Sequence, residues 1–485
     1  VSRKKKLFYF FKTIFLKRQV VVSCRFYACF QKNETGNFLF ATLPEMEFKF
    51  SAAAQRAIEL IDNPNKNLFI TGKAGTGKST LLEHVRTNAN KKMIVLAPTG
   101  VAAINVRGET IHSFFKLKPG FERDEATNMR IDDKKRKMYT TIKTILIDEI
   151  SMVRADLLDA VDIFLRRVRR NDEPFGGVQM IFFGDLFQLP PVVTSTDRAK
   201  FYSEYSSPYF FSADVFQSRN LLIEPFHLER IELDEIYRQT DENFIDVLNA
   251  VRNNSMEQKH LDILNSRVDE EFVPQEDLSY IHLVTTNATA NEINLQKLAQ
   301  IGKPEINFDA KKTGKIAKNL QPNDPQIVVK VGAQVMFIQN DSKRRWVNGT
   351  LGVVRSCVDR YNEETDKMET ILLVKIHDGD LVEVLPHKWE ISKYKFQNGN
   401  FVREQIGSFS QMPLKLAWAI TIHKSQGKSF DNVVIDLGWG SFAHGQTYVA
   451  LSRCTSLSGL VLKKNLKPSD VIVDACVQQF ADGEI

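Results

Sequence analysis

The run Gly72-Lys-Ala-Gly-Thr-Gly-Lys-Ser79 fits G-x-x-x-x-G-K-S, an arrangement of residue types that binds triphosphates. Gly72, Gly75 and Gly77 let successive backbone N–H groups converge on phosphate oxygens, and the helix N-terminus that follows adds partial positive charge. At this spacing Lys78 reaches the β- and γ-phosphates, and the Ser79 hydroxyl ligates Mg²⁺. Further along, Asp148 and Glu149 end an apolar run, Ile145-Leu-Ile147. In a P-loop enzyme the first acid holds Mg²⁺ through water and the second polarises the attacking water. Two acids ending a strand are weakly specific alone, but strongly so about 70 residues after a P-loop. Gln188, in Gly184-Asp-Leu-Phe-Gln-Leu-Pro-Pro191, would orient water or contact the γ-phosphate. Arg238 and Arg453 are candidates for balancing transition-state charge, a role worth about 10³–10⁵ in rate. Taken on its own, either arginine reads more readily as a surface salt-bridge partner.

These groups need a scaffold that brings them together. Leu68-Phe-Ile70 before the P-loop reads as a buried strand, and Thr80-Leu-Leu-Glu-His-Val-Arg86 after it has helical spacing. Ser51 is a plausible N-cap for an amphipathic helix running to Ile61. Met93–Ala97, Thr144–Ile147 and Val178–Phe183 are further apolar runs separated by helix-length segments. That rhythm predicts a parallel sheet covered on both faces, with nucleotide beyond the carboxyl ends of its strands. A second alternating unit is expected from near Phe226, with strands at Tyr280–Val284 and Val433–Leu437. Between these two strands the pattern turns all-β: Gln334–Ile338, Gly352–Arg355, Ile371–Ile376 and Leu381–Val384, with a tight-turn signal at Asn348-Gly349. Residues 350–408 are therefore expected to be a small inserted β-barrel. The stretch between Phe115 and Thr141 is a polar, basic insert.

With 485 residues the chain is too long for one core, and the length predicts about three domains. The net charge of +6 is unevenly placed: residues 1–45 hold nine Lys/Arg against two acids, and the other 440 residues carry about −1. Any nucleic-acid binding by the main body must then come from a local groove. Five scattered cysteines form no C-x-x-C pair, which fits reduced thiols in an intracellular protein rather than a zinc site. No apolar stretch approaches the ~18–20 residues needed to cross a bilayer, so no stable membrane association is expected. Segment 1–45 is basic, rich in Phe and free of Met. The favoured reading is an overextended start, the working protein beginning at Met46; the alternative is a targeting or anchoring segment.

Taken together, several ordered segments resemble the PIF-type DNA helicases, in the RecD-like, 5′-to-3′ branch of helicase superfamily one. They are the P-loop, Ala97-Pro-Thr-Gly-Val-Ala-Ala-Ile-Asn105, Thr110-Ile-His-Ser-Phe-Phe115, and Asp148-Glu-Ile-Ser-Met-Val153 with its continuation to Asp159. Ile422-His-Lys-Ser-Gln-Gly-Lys-Ser-Phe430 and Val449-Ala-Leu-Ser-Arg453 complete the set, and the match covers about Phe50 to Leu460. The resemblance implies an α/β fold of two RecA-like domains with parallel sheets, over 46–222 and over 223–349 with 409–485. It makes 350–408 an SH3-like barrel and 116–141 a short wedge that splits duplex. The chain has no counterpart of the long accessory N-terminal region of some eukaryotic members, unless 1–45 is a remnant, which fits a compact bacterial or phage-like enzyme.

Carried over residue by residue, the resemblance implies that Gln55 reads adenine, and that Gly75, Thr76, Gly77, Lys78, Ser79 and Thr80 hold the phosphates. Gly427 lies near the nucleotide, Ser79 and Asp148 hold the metal, and Gln188, Arg238 and Arg453 sense the γ-phosphate. Single-stranded DNA would cross both domains over Pro98, Thr99, His112, Phe114 and Thr285-Thr286-Asn287, with His423, Lys424 and Ser425 opposite. Hydroxyls, His and Lys suit phosphates, and an aromatic stacks a base, although Phe114 reads equally well as core. The expected cofactors are ATP and Mg²⁺. The expected activity is 5′-to-3′ unwinding of duplex, forked and G-quadruplex DNA in genome maintenance. The expected setting is a bacterial cytoplasm, at the nucleoid, as a monomer able to dimerise on DNA.

Overall fold

A computed structural model describes residues 28–32, 38–42, 50–88, 93–118, 123–217, 226–274, 279–362, 366–377, 379–397 and 399–484. Most of segment 1–45 lies outside the described residues; of it, the antiparallel pair Ala28–Lys32 and Phe38–Thr42 is described.

Six parallel strands form the first sheet, in the order Glu109–Thr110, Ile94–Ala97, Thr144–Ile147, Gln179–Phe183, Leu68–Gly72, Glu229–Leu233. The four inner strands are buried along their whole length, as parallel strands covered on both faces must be. One face packs Leu68, Ile70, Val95, Leu146 and Ile181 against Ala57 and Ile61 of helix Ala52–Asp62 and Leu81, Leu82 and Val85 of helix Lys78–Asn88. Ser51 caps the first of these helices, its hydroxyl accepting from Ala54 N–H at 3.2 Å. The other face packs Phe69, Leu96, Ile145, Ile147 and Phe182 against helix Ala155–Arg169. The P-loop and the Asp148-Glu149 pair both leave the carboxyl end of this sheet, where ligands of parallel sheets bind.

The second sheet is also parallel, with four strands in the order Ala419–Thr421, Ile281–Val284, Val433–Asp436, Leu460–Leu462. Its expected start near 223 needs correction. Strand Glu229–Leu233 pairs with the P-loop strand from Leu68↔Glu229 to Gly72↔Leu233, so the first domain runs past it. The inserted β region is likewise wider than 350–408. Antiparallel pairing begins at Glu305–Asp309 with Gln326–Lys330 and ends at Leu414–Leu416. A five-stranded sheet takes the order Leu381–Val384, Lys367–Ile376, Leu351–Asn362, Gln334–Phe337, Leu414–Leu416. A three-stranded sheet joins Lys311–Gly314, Asn400–Gln411 and His387–Gln397.

Within the polar insert of the first domain, helices Arg123–Asn128 and Asp133–Thr140 are described. Both lie along helix Ala155–Arg169, where Arg167 donates to the carbonyls of Ala126 and Met129. Among the described residues, no helix is long and apolar enough to cross a membrane.

Candidate nucleotide site and nucleic-acid path

The P-loop is a tight cradle because its backbone needs glycine. Gly75 has φ 84°, and a Cβ there would stand 2.5 Å from Arg238 Cβ. Lys78 is held across the loop, its ammonium donating to the carbonyls of Gly72 at 2.6 Å and Lys73 at 2.9 Å. Burial pushes its pKa down. The Thr76 hydroxyl also donates to the Lys73 carbonyl, at 2.9 Å, so it shapes the loop from inside. Ser79 is exposed and Thr80 half-buried on the first turn of the helix.

Asp148 and Glu149 follow strand Thr144–Ile147, and Glu149 sits at φ 51°, a left-handed conformation that is costly for a side chain of this size. Burial and the charge of Glu149 push the Asp148 carboxyl up to about 8. Burial also raises Glu149, against the pull of Lys78 and Arg453. Gln188 donates through Nε2 to Asp185 Oδ2 at 3.1 Å. Asp185 in turn accepts from Arg252 at 3.3 Å, and the Arg252 guanidinium lies 4.2 Å from the centre of the Phe187 ring.

The second domain reaches into this corner at several points. Tyr448, on helix Gln446–Leu451, accepts through its hydroxyl from Ala74 N–H of the P-loop at 2.8 Å. Gly445 caps that helix with φ 68°, and a Cβ there would stand 2.5 Å from the Gln188 carbonyl, so only glycine permits the approach. His444 Nδ1 accepts from Asp474 N–H at 2.8 Å, which leaves Nε2 protonated to donate to the Leu186 carbonyl at 2.7 Å. Gln426 Nε2 donates to Gln188 Oε1 at 3.0 Å and to Glu149 Oε2 at 3.3 Å.

Both candidate arginines lie at this corner, Arg453 buried and Arg238 half-buried, and neither is a surface salt-bridge partner among the described residues. Arg453 is 1% exposed and donates to Val449 O at 2.9 Å, Lys428 O at 3.2 Å and Ser452 Oγ at 2.7 Å. Arg238 donates to Ser452 O at 3.1 Å, while its Nε is buried without an acceptor. Burial and the neighbouring Arg238 push Arg453 down to about 9, and burial takes Arg238 to about 10. Lys78, Arg238 and Arg453 bring three cationic groups to one corner, a donor set that suits a triphosphate. An orphaned donor beside Gly75 fits the same group.

Gln55 is exposed, its amide donating to the Phe50 carbonyl at 2.9 Å. Gly427 follows Gln426 with φ 76° and is exposed. The proposed DNA contacts divide. Thr99, Thr286, Asn287, His423 and Lys424 are exposed, and Pro98 and His112 are half-buried. Burial lowers the His112 pKa. Phe114 and Ser425 are corrections. Phe114 is 2% exposed, ringed by Phe115, Tyr139, Tyr394 and Phe401, with no face free for a base. Ser425 is fully buried and its hydroxyl donates to the Ile422 carbonyl at 2.7 Å.

Tyr448, Gln426, Asp185 and Arg252 were not named from the sequence as lying at this corner. Asp185 and Gln426 stand inside segments the sequence did mark, Gly184–Pro191 and Ile422–Phe430, and Tyr448 stands on the helix that leads into Arg453; nothing in the sequence singles out Arg252.

Residues 50–262 match the family model described as PIF1-like helicase. The chain is 32% identical over 465 residues to the ATP-dependent DNA helicase Pif1 of Bdellovibrio bacteriovorus, covering 94% of this chain and 97% of that one. It is 35% identical over 426 residues to ATP-dependent DNA helicase PIF1 of Xenopus laevis, covering 86% of this chain but 61% of that longer protein. Among solved structures, Bacteroides sp Pif1 in complex with ADP-AlF4 superposes with a TM-score of 0.80 at 37% identity, over 90% of this chain and 97% of that one. Bacteroides Pif1 bound to ssDNA superposes at 0.62, with 36% identity and the same coverage.

Proposed function

The chain belongs to the PIF1-like helicase family, and from that premise we propose that it is an ATP-driven motor moving 5′ to 3′ on single-stranded DNA. The observation that carries this reading is the shared ownership of the nucleotide corner. Lys78, Asp148, Glu149 and Gln188 come from the first sheet, while Tyr448 and Arg453 come from the second. A site divided in this way turns each hydrolysis cycle into a change in how two domains meet.

Lys78 and the loop amides bind the β- and γ-phosphates, Glu149 takes a hydrogen bond from the attacking water, and Arg238 and Arg453 face the charge that grows on the transferred group. Mg²⁺ would supply positive charge against the triphosphate. Ser79 and Asp148 would hold it, and a cation there would relieve the crowding that raises Asp148.

DNA would run over the carboxyl ends of both sheets. Thr99 and Thr286 cap corresponding helices, accepting from Ala102 N–H at 3.2 Å and Thr289 N–H at 3.1 Å, and present backbone and hydroxyl donors to phosphates. His423 and Lys424 add charge and an imidazole from the next exposed turn. The lower superposition on the ssDNA-bound relative supports a rearrangement when DNA enters. The β region would form the SH3-like domain and the 116–141 segment the wedge. We extend the reading to forked and G-quadruplex DNA, to a monomer that can pair on DNA, and to genome maintenance at a bacterial nucleoid.

Strand separation with ATP on matched duplexes tests this. A 5′-tailed duplex should open and a 3′-tailed one should stay closed; the reverse outcome contradicts the proposal.

A further inference from the structure

Gln426 links the hydrolytic corner to the DNA path through one side chain. Its Nε2 reaches Glu149 Oε2 at 3.3 Å and Gln188 Oε1 at 3.0 Å. The amide orientations are fixed by the next partner. The Asp185 carboxylate accepts from Gln188 Nε2 at 3.1 Å, so Gln188 turns its oxygen to Gln426, and Gln426 must be the donor. An amide nitrogen carries two hydrogens, and here they point at the two acceptors that an attacking water needs. Water and Gln426 therefore compete for Glu149 and Gln188.

On its other side Gln426 adjoins the turn that carries the exposed His423 and Lys424. Helix Ile422–Ser425 ends directly before it, and its N–H donates to the His423 carbonyl at 3.3 Å. Gly427 follows at φ 76°, with nothing within 4 Å of where a Cβ would stand, which leaves the backbone a pivot. A shift of His423 and Lys424 toward a phosphate thus moves the Gln426 amide.

We propose that Gln426 is a positioning residue that keeps Glu149 and Gln188 from the attacking water until single-stranded DNA on His423 and Lys424 draws it off. This rests on the roles given above to Glu149 and to the His423–Lys424 turn. Hydrolysis in the absence of DNA is then suppressed by a contact between the two domains.

The test is ATP turnover of Gln426→Met, without DNA and with saturating oligo-dT, beside the unaltered protein and Glu149→Gln. Methionine keeps the length of the side chain and removes both donors. DNA-free turnover should rise about tenfold, the scale set by two ordinary hydrogen bonds, while DNA-saturated turnover stays near that of the unaltered protein. DNA-free turnover at or below the unaltered level overturns the proposal. A structure of the unaltered protein with oligo-dT and ADP–aluminium fluoride tests the same contact independently of how the variant folds. The Gln426–Glu149 contact should be broken there, and its persistence also overturns the proposal. Glu149→Gln hydrolysing at the unaltered rate would instead remove the reading of the site itself, and so is told apart.

Discussion

Lys78 is the residue whose loss should separate binding of nucleic acid from turnover. Its ammonium bridges two P-loop carbonyls, and in the proposed role it reaches the phosphates rather than the DNA path. Lys78→Ala should abolish ATP hydrolysis and unwinding while single-stranded DNA affinity, read by fluorescence anisotropy, changes little. Unwinding by that variant at the unaltered rate contradicts the assignment. Lys78, Ser79, Asp148 and Glu149 were legible because their chemistry depends on spacing within a loop or at a strand end. The contacts of Tyr448 and Gln426 were not, although Gln426 stands in a marked segment, because each spans a gap that no local pattern covers: Tyr448 meets Ala74 at a separation of 374 residues, and Gln426 meets Glu149 at 277.

At the scale of elements, hairpin His387–Gln397 with Asn400–Gln411 reaches from the β region onto the first domain. Tyr394 accepts from Val95 N–H at 3.2 Å through its hydroxyl, and its own N–H donates to Glu109 Oε2 at 2.9 Å. Its ring and that of Phe401 close over Phe114. Phe114→Ala should therefore cost roughly 3–5 kcal/mol of stability, as emptying a buried aromatic site does, measured by chemical denaturation. Unchanged stability with weakened DNA affinity would restore Phe114 to the DNA path. The boundaries of these elements were misread for a physical reason. Strand Glu229–Leu233 is a sheet edge, with alternating exposed Arg230 and Glu232, and gives no apolar run. Strand Lys311–Gly314 is exposed throughout, so it carries no periodicity at all. Strands buried on both faces, such as Leu68–Gly72 and Gln179–Phe183, announced themselves.

Across the whole molecule, the two parallel sheets meet at the nucleotide corner, and what they share there is chemistry. Besides packing such as Phe211 on Phe480, the interface makes contacts on working parts: Tyr448 on the P-loop, Gly445 and His444 on the segment holding Gln188, Gln426 on Glu149. The sequence could indicate two domains and the late arginine, but not that these residues would be in contact without DNA. The central claim is that the second domain completes the hydrolytic site through Arg453. The direct measurement is DNA-stimulated ATP turnover of Arg453→Ala together with nucleotide affinity, on protein whose melting curve shows it folded. Turnover should fall by about 10³-fold or more, the scale of a lost transition-state guanidinium, while ATP still binds. Turnover within a few-fold of the unaltered protein would contradict the account.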